Sequence, residues 1–123
     1  MAAAGGEMGR ARERWDALMA AWEANDFEAI EDMYTKEAVY YEPYNPPHEG
    51  NLLTVAYLKD FLGSKSELEV TMKRVLEDEE NARLAAEWSM SYTAGGRRWN
   101  NLPRSSFVDV DEAGLITYHR DYT

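Results

Sequence analysis

Val108-Asp109-Val110-Asp111-Glu112-Ala113-Gly114-Leu115-Ile116-Thr117-Tyr118-His119-Arg120-Asp121-Tyr122 reads as strand, tight turn and strand. β-Branched and aromatic residues flank an Asp-Glu-Ala-Gly break, which is turn chemistry between two extended runs. In a strand, residues i and i+2 face the same side, so His119 and Asp121 share one surface about 7 Å apart along the chain. The only other histidine is His48, and the chain has no cysteine. Proton chemistry here must rest on carboxylates, these two histidines and the tyrosines.

Upstream of this hairpin the period stays near two. Leu68, Val70 and Met72 alternate with charged and polar residues, and the alternation slips at Arg74-Val75-Leu76, a bulge signal. Glu77 to Asn81 reads as a solvated acidic turn. Leu84, Ala86, Trp88, Met90 and Tyr92 form the next alternating run. Gly95-Gly96 is a hairpin signal, and Arg97 to Val110 is a long strand candidate whose Pro103 belongs at an edge or kink.

The first half of the chain has a helical period. Trp15, Leu18, Met19 and Trp22 fall on one stripe of a helix over residues 10–24, with Asn25 at its end and Asp26 capping the next. Phe27, Ile30, Met33 and Tyr34 give a second, shorter stripe. Ala38 to Glu42 reads as a short strand stopped by Pro43. Residues 43–50 form a loop rich in Pro, Asn and Gly. Asn51 caps a third helix, whose stripe is Leu52, Val55, Leu58 and Leu62 and whose end suits Gly63. Helices first and hairpin-connected strands after them make an α+β plan. A strongly curved sheet can wrap the long helix and leave one end of the core open as a pocket.

Composition narrows the partners. The 123 residues suggest one domain, residues 10–123, behind a short flexible tail over 1–9, and 45% hydrophobic content can build a core. A formal net charge of −10 repels nucleic-acid backbones and anionic membrane surfaces. Without cysteine there is no disulfide and no thiolate metal site. No run reaches the length of a membrane span, and the N-terminus lacks the pattern of a secretory signal, so a cytoplasmic protein is expected.

The order of elements, with particular residues, resembles the nuclear transport factor 2-like superfamily in its SnoaL-like branch. The stretches that carry the resemblance are Trp22 through Ile30, Tyr34 through Glu42-Pro43, His48-Glu49-Gly50, and Val108 through Ile116 leading to His119-Arg120-Asp121-Tyr122, covering roughly residues 12–122. The resemblance implies a cone-shaped α+β barrel, three helices packed in a strongly curved, mostly antiparallel sheet, with a deep apolar pocket and a homodimer packed through the sheet. Members include polyketide cyclases, ketosteroid isomerases, epoxide hydrolases and dehydratases, and others only bind ligands or partners. By resemblance, Glu42 stands where ketosteroid isomerases hold a base, Asp121 matches a catalytic aspartate, and His119 matches the histidine of a His-x-Asp pattern. Two departures stand out. The Arg-x-Asp that limonene epoxide hydrolases carry on a middle strand reads Glu87-Trp88-Ser89 here. The oxyanion donors of ketosteroid isomerases align with Ser106 and Leu18.

Each candidate has two readings. His119 and Asp121 make a general acid/base pair, with Asp121 raised in pKa by an apolar pocket, or else a half-exposed strand face with Arg120 pairing across it. Glu42 shares a face with Tyr40 and could abstract a proton, or could be a salt-bridged strand end. Tyr34, Tyr40, Tyr57, Trp88 and Trp99 line a substrate pocket or pack the core. His48 is expected to be a surface loop residue, with no partners at metal-ligand spacing. The expectation is a small cofactor-independent, metal-free enzyme. It would do cyclisation, isomerisation, dehydration or epoxide opening on an apolar, polyketide- or terpenoid-like molecule. The alternative is a non-catalytic ligand-binding or dimeric interaction module of the same fold.

Overall fold

Asn25 takes the left-handed conformation at φ 54° and ends the first helix, and the Asp26 side chain accepts from the Ala29 amide to begin the second. This tight junction sets the angle of the helical layer in the computed structural model, which describes residues 8–123. The elements are α1 (Arg10–Ala24), α2 (Phe27–Met33), β1 (Tyr34–Tyr41), β2 (His48–Glu49), α3 (Asn51–Gly63), β3 (Ser66–Asp78), β4 (Arg83–Ala94), β5 (Arg97–Val110) and β6 (Ile116–Tyr122). Of the expected tail, residues 1–7 lie outside the described residues, and Gly9 already stands at the cap of α1.

The six strands form one sheet in the order β2-β1-β6-β5-β4-β3. Only β1 and β6 run parallel, with Tyr40 opposite His119. All other pairs are antiparallel. α1 crosses the inner face of β3, β4 and β5, while α3 covers β1 and β2. The expected slip in β3 is present as a register shift between Met72 and Arg74. Pro103 pairs with Ser89 on β4, and β6 reaches only as far as Ser105, so no strand lies on Pro103's other side.

Three tryptophans make the centre of the core. Trp15 and Trp22 each meet Trp88 edge-on at 5.8 Å between ring centroids. All three are buried. Edge-to-face contacts at this distance add to the burial term itself.

Several expectations are corrected. Tyr34 has extended backbone and opens β1, pairing with Ile116, rather than closing α2. Gly50, not Asn51, holds the cap position of α3, at φ 89° and with a would-be Cβ 3.0 Å from the Lys36 carbonyl oxygen. Only glycine adopts that conformation cheaply. Leu52 is 65% exposed, and the first turn of α3 instead buries Thr54, whose hydroxyl donates to the Gly50 carbonyl. Residues 78–81 are exposed as expected, but Glu77 is half-buried. It ends its strand at the mouth of α1 and accepts from the amides of Gly9 and Arg12 at 3.1 and 3.0 Å. A helix start with a glycine cap has orphan donors, and a carboxylate from the sheet satisfies them and opposes the helix dipole.

Candidate active site

Alternation on β1 turns Ala38, Tyr40 and Glu42 inward, and on β6 it turns His119 and Asp121 inward. On β5, Arg104, Ser106 and Val108 take the same side, with Ser106 opposite Asp121. Helices cover this face, so these polar side chains meet beneath apolar ones and must find partners among themselves.

They do so around Asp121. One carboxylate oxygen accepts from the Ser106 hydroxyl at 2.6 Å and from His119 Nε2 at 2.7 Å. The other accepts from the Tyr40 hydroxyl at 2.5 Å and from Arg104 Nη2 at 3.2 Å. Ser106 in turn accepts from the Trp88 indole at 3.0 Å, and the Tyr34 hydroxyl meets His119 Nδ1 at 2.7 Å. Four donors fill what an ionised carboxylate can accept. Burial alone pushes the Asp121 carboxyl up, but His119, by charge and hydrogen bond, then Arg104 and Ser106, outweigh it and hold the carboxyl well below its usual range. The expected upward shift is therefore reversed, because the apolar surroundings come with four donors. Tyr34 and Tyr40 are pushed well above the ordinary phenol value, by burial first and by the Asp121 charge second, and so keep their protons, Tyr40 donating its own to Asp121.

The space expected beside this pair is filled. Tyr40, His119 and Asp121 are 0, 0 and 1% exposed, so no water-sized gap adjoins them. His119 is walled by Tyr40 at 4.5 Å, Trp15 at 5.9 Å and Tyr34 at 6.0 Å between ring centroids. Arg120 does not pair across the face; it points the other way, over the rings of Tyr41 and Tyr122.

A second cluster lies at the end of the same strands. Glu42 accepts from the Tyr44 amide with Oε1, while its Oε2 stands 3.7 Å from His48 Nε2. His48 is no surface loop residue. It lies on β2 opposite Tyr40, its side chain is 17% exposed, and its ring stacks on Tyr57 at 4.4 Å. Tyr57 stacks on Phe61 at 5.8 Å, which carries the aromatic wall onward. The Tyr57 hydroxyl is pushed up to about 12, chiefly by partial burial and then by Glu42, with Asp121 adding to this and Arg104 opposing it. The charges of both clusters thus reach one phenol. Beyond Phe61 opens a recess of about 320 Å³, lined also by Met90, Tyr92, Leu102, Pro103, Arg104 and Thr123.

Among the described residues, four buried side-chain polar atoms lack a partner, and three of them are Glu42 Oε2, His48 Nε2 and Arg104 Nε. Such atoms are rare in folded proteins, and Glu42 Oε2 and His48 Nε2 have only each other as a polar neighbour, at 3.7 Å. No group of three or more His, Asp or Glu side chains placed to hold a metal ion occurs among the described residues, nor does a helix long and apolar enough to cross a membrane.

Of the residues expected from sequence, the fold brings together Asp121, His119, Tyr34 and Tyr40 in the inner network, and Glu42 and Tyr57 at its outer end. Trp88 is a core residue that touches the network through Ser106. Trp99 is not part of either cluster: it is 38% exposed and lies under the Arg97 guanidinium at 4.3 Å. Sequence reasoning missed Arg104 and the role of His48. Arg104 was legible in principle, since it shares the inward parity of Ser106 and Val108, but Pro103 beside it draws attention to the break instead. His48 looked solvated because a two-residue strand leaves no periodic signal.

A model of the SnoaL-like domain family matches residues 15–119. No curated protein matches the sequence at a significant level. Among solved structures, an LEH-like epoxide hydrolase of Mycobacterium tuberculosis superposes with a TM-score of 0.77 at 24% identity, over 92% of this chain and 81% of the other. A Xanthomonas campestris protein provisionally assigned as a polyketide cyclase gives 0.77 at 21% identity, over 93% and 90%. The Mycobacterium tuberculosis protein RV0760c gives 0.84 at 18% identity, over 95% and 92%. These likenesses establish the cone-shaped α+β fold, and fold does not by itself carry an activity.

Proposed function

This chain belongs to the SnoaL-like domain family, and from that premise we propose that it is a cofactor-independent acid/base catalyst for a small apolar molecule bound at the mouth of the cone. The observation that carries this reading is the Glu42–His48 pair, whose Oε2 and Nε2 stand 3.7 Å apart, buried and without other partners. Neither atom is exposed in this conformation, so a substrate oxygen that bonds to both enters only as the surrounding side chains give way. Glu42 then takes a proton and the imidazole gives or steadies one, while Tyr57, still a phenol at neutral pH, supplies a second donor. The reactions open to such a pair are cyclisation, isomerisation, dehydration and epoxide opening. The structural neighbours described as an epoxide hydrolase and a polyketide cyclase lend support to epoxide opening and cyclisation within this range. Asp121 and His119, proposed from sequence as the proton-moving pair, serve here as the fixed charge behind Tyr40 and Arg104, since every acceptor site of Asp121 is taken.

The test is turnover of a panel of cyclic epoxides and polyketide-type β-dicarbonyl compounds by the wild type and by Glu42→Gln. Turnover should fall at least about a hundredfold with the fold unchanged; an active Glu42→Gln enzyme removes Glu42 from the chemistry. A second reading, a ligand carrier, is favoured by the filled space around Asp121 and His119, and predicts binding of such compounds without conversion by the wild type. We also propose a homodimer through the outer sheet face, where Leu76, Phe107 and Tyr122 are 63, 48 and 44% exposed.

A further inference from the structure

The chain carries −10 overall, yet two cations stand at the recess beyond Phe61. Arg104 lines the recess, with its side chain 9% exposed. Its one acidic partner, Asp121, is shared with His119, Ser106 and Tyr40. A guanidinium has five N–H donors, and Arg104 uses one of them, leaving Nε buried and unpartnered. Lys65 adds a second charge. Its ammonium donates to the Phe61 carbonyl at 2.6 Å and lies 3.9 Å over the Phe61 ring and 5.0 Å over Tyr92, two rings that line the recess. Burial and the Arg104 charge both lower the Lys65 pKa, and an anion placed between the two cations would relieve that repulsion.

The rest of the lining is Phe61, Met90, Tyr92, Leu102 and Pro103, all largely apolar, with Thr123 as a further polar residue at its edge. The volume of about 320 Å³ is roughly twice that of a cavity that admits benzene. A ring with a short acidic arm fits this space, and a bidentate carboxylate matches the free edge of a guanidinium.

We propose that this recess is a binding site for small apolar carboxylates, with the ring against Phe61 and Tyr92 and the carboxylate on the free N–H groups of Arg104 beside Lys65. As a statement about substrate class it rests on the acid/base reading above, because the Phe61–Tyr57–His48 stack joins the recess to Glu42. As a binding site it stands without that reading.

The experiment is isothermal titration calorimetry with phenylacetate and with phenylacetamide, its uncharged isostere. The wild type should bind the acid at least about tenfold more tightly than the amide. Lys65→Gln should weaken the acid several-fold and leave the amide unchanged. Leu102→Trp, which fills the recess, should abolish binding of both. Arg104→Lys keeps a cation for Asp121, so it tests the fork geometry without stranding a buried charge, and should also cost the acid its advantage. Equal affinity for acid and amide, no binding of either, or full binding by Leu102→Trp overturns the proposal. Glu42→Gln should bind phenylacetate as the wild type does, so loss of turnover in that variant and loss of binding in the recess variants fail independently.

Discussion

At the scale of single residues, Asp121 is the position where the surroundings decide the chemistry. A buried carboxylate with four donors is anchored rather than poised. Asp121→Asn replaces an acceptor that serves four donors with a group that is itself half donor, and strands Arg104. It should cost about 3 kcal/mol in urea unfolding, in contrast to the near-neutral stability expected if Asp121 were a free general base. The pH dependence follows from the direction of its shift. The native carboxyl titrates below the unfolded one, so its contribution is complete above the unfolded value near 4 and drains away as pH falls from there toward the native value. Acid unfolding should therefore steepen below about pH 4 in the wild type and flatten in Asp121→Asn; identical acid limbs would show that Asp121 is not held down. His119 and Asp121 were legible as neighbours from their spacing alone. The direction of the Asp121 shift was not, because it depends on Arg104 and Ser106 from another strand, and no pattern in one strand predicts what its partner presents.

At the scale of elements, helices and strands followed their periods closely: the Trp15–Trp22 stripe, the Asn25–Asp26 junction and the Met72–Arg74 slip all lie where hydrophobic spacing puts them. The misreadings fall where an element is short or where one element finishes another. β2 is two residues long, too short for a period, and it carries His48. Glu77 looked like one more acid in a charged turn, yet it closes the open end of α1 from 65 positions away. Local sequence cannot show a cap delivered from the far side of the fold. Glu77→Ala should lower stability by about 1 kcal/mol, and amide exchange should quicken for Arg12 and its neighbours first; unchanged protection there would mean water serves equally well. Gly9 belongs to the same device. A Cβ on it would stand 2.3 Å from the Glu77 carboxylate, so Gly9→Ala should push that side chain aside and reproduce much of the same loss.

At the scale of the whole molecule, the inner face of the sheet is spent on the core and the two clusters, and its outer face carries ion pairs such as Arg83–Asp109 together with exposed aromatic and aliphatic side chains. Phe107 and Tyr122 touch edge-on at 5.9 Å there, and Leu76 and Phe107 both line one shallow hollow. Contiguous exposed apolar surface of this kind commonly marks an interface. Phe107→Glu should convert a dimer in sedimentation or light-scattering experiments to a monomer with its secondary structure intact; a wild-type monomer at high concentration would sink the homodimer. The fold itself was readable because nearly every segment agrees with it locally. The filling of the cone was not: it depends on how far aromatic side chains from α1, β1 and β6 reach into it, and they close the inner part.

The place of β6 in the sheet has a consequence for how the chain assembles. It is the last strand in sequence and sits between β1 and β5. Until it docks there are two separate pieces, a ribbon of β1 with β2 and a meander of β3, β4 and β5, each with an unpaired border. The insertion that joins them also delivers the His119 imidazole and the Asp121 carboxylate to their partners, so the buried polar network and the sheet close in one long-range event. A chain arrested before that event offers two sticky borders to other arrested chains.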